Sequence, residues 1–206
     1  MKIINAKVYT EEGFFEEKEV YTDGDRIAEQ STDGEVLDGA GCYLIPGLTD
    51  IHFHGCVGRD FCDGSHESIE AMGVYEASQG ITTMVPATMT LGRDTLEGIC
   101  RAAATWPNEK GAILCGINME GPFISLERKG AQNGAYVHQP DTEMFRELNA
   151  ASGHLVKLLA IAPEEPGAME CIEALKDEVV LSIAHTTADY EIASEAFRKG
   201  VHHVSH

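Results

Sequence analysis

The sequence lacks any run of about 20 apolar residues, so it holds no candidate membrane-spanning helix. It lacks an apolar leader as well. Met1-Lys2-Ile3-Ile4-Asn5-Ala6-Lys7-Val8 is too polar and too short for a signal peptide and reads as a strand. The six cysteines, Cys42, Cys56, Cys62, Cys100, Cys115 and Cys171, include no C-x-x-C pair, which argues against a zinc ribbon or a thioredoxin-like site. They read as free thiols of a reducing cytoplasm, with Cys56 and Cys62 most simply small buried hydrophobes. Positive charge is scarce: 15 Lys and Arg stand against 34 Asp and Glu, a net charge of −19. Such a surface repels nucleic acid and anionic membrane, so neither is expected as a partner. A small anionic substrate stays open, because a few local cations and backbone amides hold a phosphate. No G-x-G-x-x-G or P-loop follows any candidate strand, which weakens a nucleotide-binding reading.

What is present is an ordinary globular composition, 43% hydrophobic and 24% charged over 206 residues. A chain of this length buries about 70% of its unfolded surface, enough for a sizeable core. Residues 1–47 read as a small β element, with strands at Ile3 to Tyr9 and Arg26 to Ala28. Turn signals stand at Asp23-Gly24-Asp25 and Asp33-Gly34, and the acidic stretch from Glu11 to Glu19 reads as a solvated face.

From residue 48 the pattern becomes strands alternating with helices. The expected strands are Leu48–His54, Ile81–Pro86, Ala112–Met119, Leu155–Ile161, Val179–Ala184 and Val201–Ser205. One helix starts after Ser65 as N-cap, carries Ile69, Met72 and Gly73 at helical spacing, and stops near Gly80. Another starts at Asp189, carries Ile192, Ala193, Ala196 and Phe197 on one face, and stops at Gly200. Repeated βα units predict an α/β fold with a parallel sheet buried by helices, either a (β/α) barrel or an open doubly wound sheet.

The chemistry gathers at the ends of those strands. Pro46-Gly47-Leu48-Thr49-Asp50-Ile51-His52-Phe53-His54-Gly55 places His52 and His54 two apart, so period-two geometry puts both imidazoles on one face. Glu120 stands where the third strand gives way to Gly121-Pro122. His185 ends the fifth strand and His206 the sixth. A lone strand-end histidine is more often a hydrogen-bonded rim residue than a ligand. Four strand ends agreeing point instead to one shared metal site, at the rim where barrels build active sites. Nitrogen and carboxylate donors together suit zinc or iron. The matching chemistry is hydrolysis by a metal-activated water. That chemistry normally needs a carboxylate to carry a proton to the leaving amine, and no residue of the sequence offers itself for that role.

These residues resemble the amidohydrolase superfamily. The run Ile45 to Gly55 carries the superfamily element. Met119-Glu120-Gly121-Pro122-Phe123-Ile124 and Lys129-Gly130-Ala131-Gln132-Asn133 narrow the resemblance to the sugar-phosphate deacetylases acting on N-acetylglucosamine 6-phosphate, and Ala184-His185-Thr186 with His203-Val204-Ser205-His206 completes it. The resemblance implies an incomplete (β/α)8 TIM-type barrel of about six βα units over 48–206, with residues 1–47 forming part of a small β-sandwich. It implies release of acetate and glucosamine 6-phosphate from the substrate. Glu120, His185 and His206 would bind the principal ion, and His52 and His54 a second, with Glu120 bridging. One or two divalent ions, zinc or iron, are therefore expected. Ala131 would touch the sugar through its backbone, and Gln132 stands where some relatives carry a histidine near the substrate carbonyl. His138 could approach substrate from the same loop, or simply be a surface histidine.

The resemblance also implies that the catalytic aspartate and the last strands lie beyond residue 206. The chain is thus read as an N-terminal portion, cytoplasmic, working as a homo-oligomer or with a complementing C-terminal fragment. Two alternatives stand beside this reading. One is a deacetylase of another amino-sugar phosphate, such as N-acetylgalactosamine 6-phosphate. The other is a truncated, non-catalytic metal-binding module.

Overall fold

Asn5 breaks the first expected strand in two. It adopts a left-handed backbone (φ 61°) that asparagine tolerates better than most residues, and its side-chain amide donates to Asp38 Oδ1 at 2.9 Å. In the computed structural model, which describes residues 1–30 and 34–206, the chain divides into two units, Met1–Gly47 and Leu48–His206. Asp33 of the expected Asp33-Gly34 turn lies outside the described residues.

Among its described residues the first unit holds seven short strands: Lys2–Ile4 (β1), Lys7–Tyr9 (β2), Phe15–Glu17 (β3), Val20–Asp23 (β4), Arg26–Ala28 (β5), Val36–Asp38 (β6) and Tyr43–Leu44 (β7). They form two sheets of order β5-β4-β1-β6 and β3-β2-β7. Residues Glu11 to Lys18 are exposed, as a solvated acidic stretch requires.

The second unit opens with Leu48–Asp50 (β8) and a small hairpin, Gly55–Cys56 (β9) with Arg59–Asp60 (β10). Helix His66–Ser78 (α1) leads to Ile81–Met84 (β11), and Arg93–Ala104 (α2) leads to Ile113–Leu114 (β12) and Ile117–Met119 (β13). Thr142–Ala151 (α3), Val156–Ile161 (β14), Ala168–Leu175 (α4), Val180–Ile183 (β15), Tyr190–Lys199 (α5) and His203–Val204 (β16) follow. The sheets β12-β11-β8 and β13-β14-β15-β16 are parallel throughout. An Ala87–Asn118 bridge joins the two, so spatial order follows chain order, without the reversal of a doubly wound sheet.

Two expected strands differ in the structure for identifiable reasons. Leu48–His54 stops at Asp50, because the Asp50 carboxylate takes the His52 backbone N–H at 2.9 Å and draws that donor out of the ladder. Ala112–Met119 splits at Cys115-Gly116: β12 pairs with β11 and β13 with β14. A Cβ on Gly116 would stand 2.3 Å from Lys157 Cγ, so any other residue would have to displace that side chain.

The helix signals map onto physical caps. Ser65 Oγ accepts from Ser68 N at 3.2 Å, and Asp189 Oδ1 accepts from Ile192 N at 2.9 Å. Gly200 closes α5. Apolar residues three and four apart turn inward: Ile69 and Met72 on α1, Leu96 and Ile99 on α2, Phe145 and Leu148 on α3, Ile172 and Leu175 on α4. They pack on Met84, Leu114, Ile117, Leu159 and Leu181 from the strands. Each such buried side chain contributes about 1.5–3 kcal/mol of transfer free energy. On α5 only Ala196 is buried among its residues, and Phe197 is exposed. No helix among the described residues is long and apolar enough to cross a membrane.

Candidate metal centre

Glu120 follows β13 directly and is 2% exposed, a carboxylate that needs partners if it is to stay buried. Its peptide leads into Gly121, where φ is +92° and a Cβ would stand 2.1 Å from Thr90 Oγ1. Glycine is therefore required for the chain to turn at this point. The Thr90 hydroxyl donates to the Glu120 carbonyl at 3.3 Å, which closes the corner.

Four imidazoles reach that carboxylate from three other strand ends. His54 Nε2 lies 2.9 Å from Oε2. His52 Nε2 lies 3.6 Å, His185 Nε2 2.9 Å and His206 Nε2 3.2 Å from Oε1. His185 and His206 present their Nε2 atoms to each other at 2.9 Å. The His52 and His54 rings stand 5.6 Å apart, so the two histidines do share one face although the ladder has ended before them. His185 holds a left-handed backbone (φ 47°), which an L side chain adopts only where its surroundings enforce it.

The surroundings are specific. His185 Nδ1 lies 2.9 Å from the Arg128 carbonyl, and His54 Nδ1 lies 3.1 Å from the Ala87 carbonyl. A carbonyl only accepts, so each Nδ1 carries a proton, and the Nε2 of each ring faces Glu120. Imidazole nitrogens and a carboxylate then converge within hydrogen-bond distance, an arrangement that calls for a cation or a proton between them. Fixing a ligand histidine through its other nitrogen is how metal sites orient their rings. Two overlapping donor groups are close enough to hold an ion: His52, His54 and Glu120, and Glu120, His185 and His206. The donor set, nitrogen with one carboxylate, fits zinc or iron.

The electrostatics agree. Burial pushes the Glu120 pKa up, but hydrogen bonds with His54 and His185 and the nearby His52 and His54 charges overcome it and hold the value down at about 2. Its hydrogen bond to Glu120 raises the His54 pKa against desolvation. Desolvation lowers that of His52, helped by His54 and His206 and opposed by Glu120.

The other residues singled out in the sequence are placed differently. Gln132 is buried beside the carboxylate: its Nε2 donates to Glu120 Oε2 at 3.0 Å and its Oε1 accepts from Thr90 N at 2.6 Å. Both ends of this amide are engaged within the fold. Ala131 is exposed next to it. His138 is exposed too, its ring 6.3 Å from that of Phe123 and its Nδ1 2.6 Å from the Gln139 carbonyl. Cys62 is a packing residue whose thiol burial pushes up to about 12. All six cysteines are free thiols.

Sequence reasoning missed three supporting residues. Asn118 donates through Nδ2 to the Ile51 carbonyl at 2.9 Å and reaches His52 Nδ1 at 3.1 Å. Glu164 accepts from the Thr186 hydroxyl, the Thr187 N–H and the Thr187 hydroxyl, bracing the loop after His185. Thr90 ties Gln132 to Glu120. Only Asn118 had a signal in the sequence, its place two residues before Glu120 on the strand that leads to it.

Comparison with known proteins gives the same direction. The amidohydrolase family pattern matches residues 43–206. N-acetylglucosamine-6-phosphate deacetylase of Lysinibacillus sphaericus is 32% identical over 99% of this chain and 55% of its own length. The Bacillus subtilis (strain 168) protein of that name is 34% identical over 84% of this chain and 45% of its own. A crystal structure of N-acetyl-D-glucosamine-6-phosphate deacetylase from Mycobacterium smegmatis superposes with a TM-score of 0.87 at 26% identity, over 100% of this chain and 55% of that one. The chain thus spans about half the length of the relatives it matches. By the residues matched and the centre they build, this chain belongs to the amidohydrolase family.

Proposed function

We propose that this chain is the metal-holding N-terminal portion of a hydrolase that removes acetyl from N-acetylglucosamine 6-phosphate, yielding glucosamine 6-phosphate and acetate. The observation that carries the reading is the buried Glu120 carboxylate met by imidazoles from three other strand ends. The names of the relatives supply the substrate.

Glu120, His185 and His206 would hold a divalent ion, zinc or iron, with His52 and His54 on the far side of the same carboxylate. Such an ion, when bound, lowers the pKa of a water and polarises an amide carbonyl at neutral pH. The chain's own residues prepare the place. Glu120 stays ionised across the neutral range, Gln132 fixes the rotation of its carboxylate, and Arg128 O holds the His185 ring. The exposed loop at Ala131, one residue from Gln132, presents backbone groups to the sugar, with His138 further along the same segment. The general acid–base, an aspartate, would lie beyond residue 206. Leu48–His206 would form about six βα units of an eight-unit barrel, and residues 1–47 part of a β-sandwich. A homo-oligomer or a complementing C-terminal polypeptide would complete it. A cytoplasmic location belongs to the same reading and is supported by the six free thiols.

The test is acetate release from N-acetylglucosamine 6-phosphate and from N-acetylgalactosamine 6-phosphate by the natively purified protein, before and after chelation. Chelator-sensitive release from the first sugar supports the proposal. Release only from the galactosamine epimer moves the substrate. Metal bound stoichiometrically with no release from either leaves a non-catalytic metal-binding module.

A further inference from the structure

We infer that the opposite mouth of the strands, where β14, β15 and β16 begin, is a separate binding site for a small phosphate ester with an apolar body. The inference stands apart from the proposed metal site and its substrate.

The residues of the metal centre follow the ends of parallel strands, and this cavity lies at the beginnings. Val156 and Lys157 open β14, Val180 opens β15, and His202 precedes β16. A strand advances about 3.3 Å per residue, which puts roughly 15–20 Å between the two places. A small ligand here does not reach the Glu120 carboxylate. The cavity measures about 640 Å³, within the range of small-molecule sites, about 300–1,000 Å³.

Its lining runs against the charge of the chain. Net charge is −19, yet Lys157, Lys176, His154 and His202 all face this one cavity. Lys2 and Lys110 show the usual arrangement, held by Glu19 at 2.8 Å and Glu70 at 2.9 Å. Among the described residues neither Lys157 nor Lys176 forms an ion pair, and neither imidazole hydrogen-bonds within the fold. Two carboxylates stand at the mouth. Glu178 is already held by Arg146, whose Nη2 donates to it at 2.7 Å, which leaves Asp177 against the two lysines.

Both lysine stems are bedded on glycine. A Cβ on Gly116 would stand 2.3 Å from Lys157 Cγ, and a Cβ on Gly200 would stand 2.5 Å from Lys176 Cβ and 3.1 Å from its Cδ. Lys157 Nζ also donates to the His154 carbonyl at 3.1 Å. His154 itself holds a left-handed backbone (φ 65°), which costs energy in an L residue. An ammonium on a held stem loses less rotamer freedom when it binds. Two such charges, with imidazoles beside them, suit a doubly charged phosphate better than a single carboxylate. Val156, Val179 and Val180 line the same cavity, and Val180 is 45% exposed, an apolar surface for the body of an ester.

The experiment is equilibrium dialysis of phenyl phosphate against the natively purified protein, before and after chelation, with phenol and inorganic phosphate as comparison ligands. We expect one saturable site per chain that survives chelation. Phenol should bind at least about tenfold more weakly for want of the charge, and inorganic phosphate several-fold more weakly for want of the ring. Lys157→Met combined with Lys176→Met keeps both stems on their glycines and removes both charges. It should weaken phenyl phosphate at least about tenfold. Lys110→Met, whose ammonium is already paired, should leave binding unchanged. Circular dichroism reports whether each variant is folded. In the chelated, unaltered protein the ring-proton resonances of His154 and His202 should shift on titration while those of His185 and His206 stay in place, which keeps the test decisive if the double variant does not fold. Loss of binding on chelation, undiminished binding by a folded double variant, phenol or inorganic phosphate binding as tightly as the ester, ring shifts confined to His185 and His206, or no saturable binding at all each overturns the inference.

Discussion

Gln132 clasps Glu120 from behind: its amide donates to Glu120 Oε2 at 3.0 Å while its carbonyl accepts from Thr90 N at 2.6 Å. The carboxylate therefore presents Oε1 to His185 and His206 in a fixed orientation. Replacing Gln132 by Leu leaves the Thr90 N–H and one carboxylate oxygen buried without this partner. Stability should fall by about 1–3 kcal/mol. Zinc affinity should fall roughly 10- to 100-fold, the usual effect of losing a residue that orients a ligand. Urea unfolding checks the first and competition with a coloured chelator the second.

Gly121 is the second point where one atom decides the site. With φ at +92° and a Cβ only 2.1 Å from Thr90 Oγ1, Gly121→Ala must move the corner that carries Glu120. We expect a loss of about 1–3 kcal/mol from backbone strain alone. Thermal unfolding at neutral pH measures it. A neutral effect would show that the corner relaxes freely.

The metal-free protein should also show the Glu120 carboxylate in its acid unfolding. Its folded pKa is about 2 against an ordinary 4.5. A depressed carboxylate contributes stability that is fully present above the unfolded value and lost as pH falls towards the folded one. The urea midpoint of the chelated protein should therefore drop as pH falls from about 4.5 to about 2. In Glu120→Gln that part of the drop should be missing.

Glu164 makes a prediction about mobility. Its carboxylate accepts from the Thr187 N–H, and the Thr186 and Thr187 hydroxyls also donate to it. Burial pushes its pKa up, but these hydrogen bonds outweigh burial and hold it below its ordinary value. In Glu164→Ala the amides of Thr186 to Ala188 should exchange faster with solvent, with little change in the core strand β14. Hydrogen-exchange mass spectrometry reads both segments in one experiment.

Much of this centre was legible in the sequence because strand ends and ligand types are local signals. His52 and His54 two apart, Glu120 before Gly-Pro, and His185 and His206 at the ends of apolar runs all declare themselves by spacing. Their convergence follows once the strands are parallel and in chain order. Ser65 and Asp189 marked helix starts by their side-chain acceptors, and Gly200 marked a helix end by the backbone freedom of glycine. What stayed hidden depends on contacts far apart in sequence. The pairings of Thr90 with Gln132 and of Asn118 with His52 span 42 and 66 positions, and no periodicity encodes them. The early end of the first strand was hidden differently. Asp50 diverts its neighbour's N–H, a competition between side chain and ladder that an apolar pattern does not register.

The measurement that bears most directly on the central claim is the zinc and iron content of the natively purified protein beside its Glu120→Gln variant, with circular dichroism to establish that both are folded. The account predicts a stoichiometric divalent ion in the unaltered protein and its loss in the variant, because the carboxylate is the ligand common to both donor groups. A folded Glu120→Gln protein that keeps its full complement of metal would contradict it.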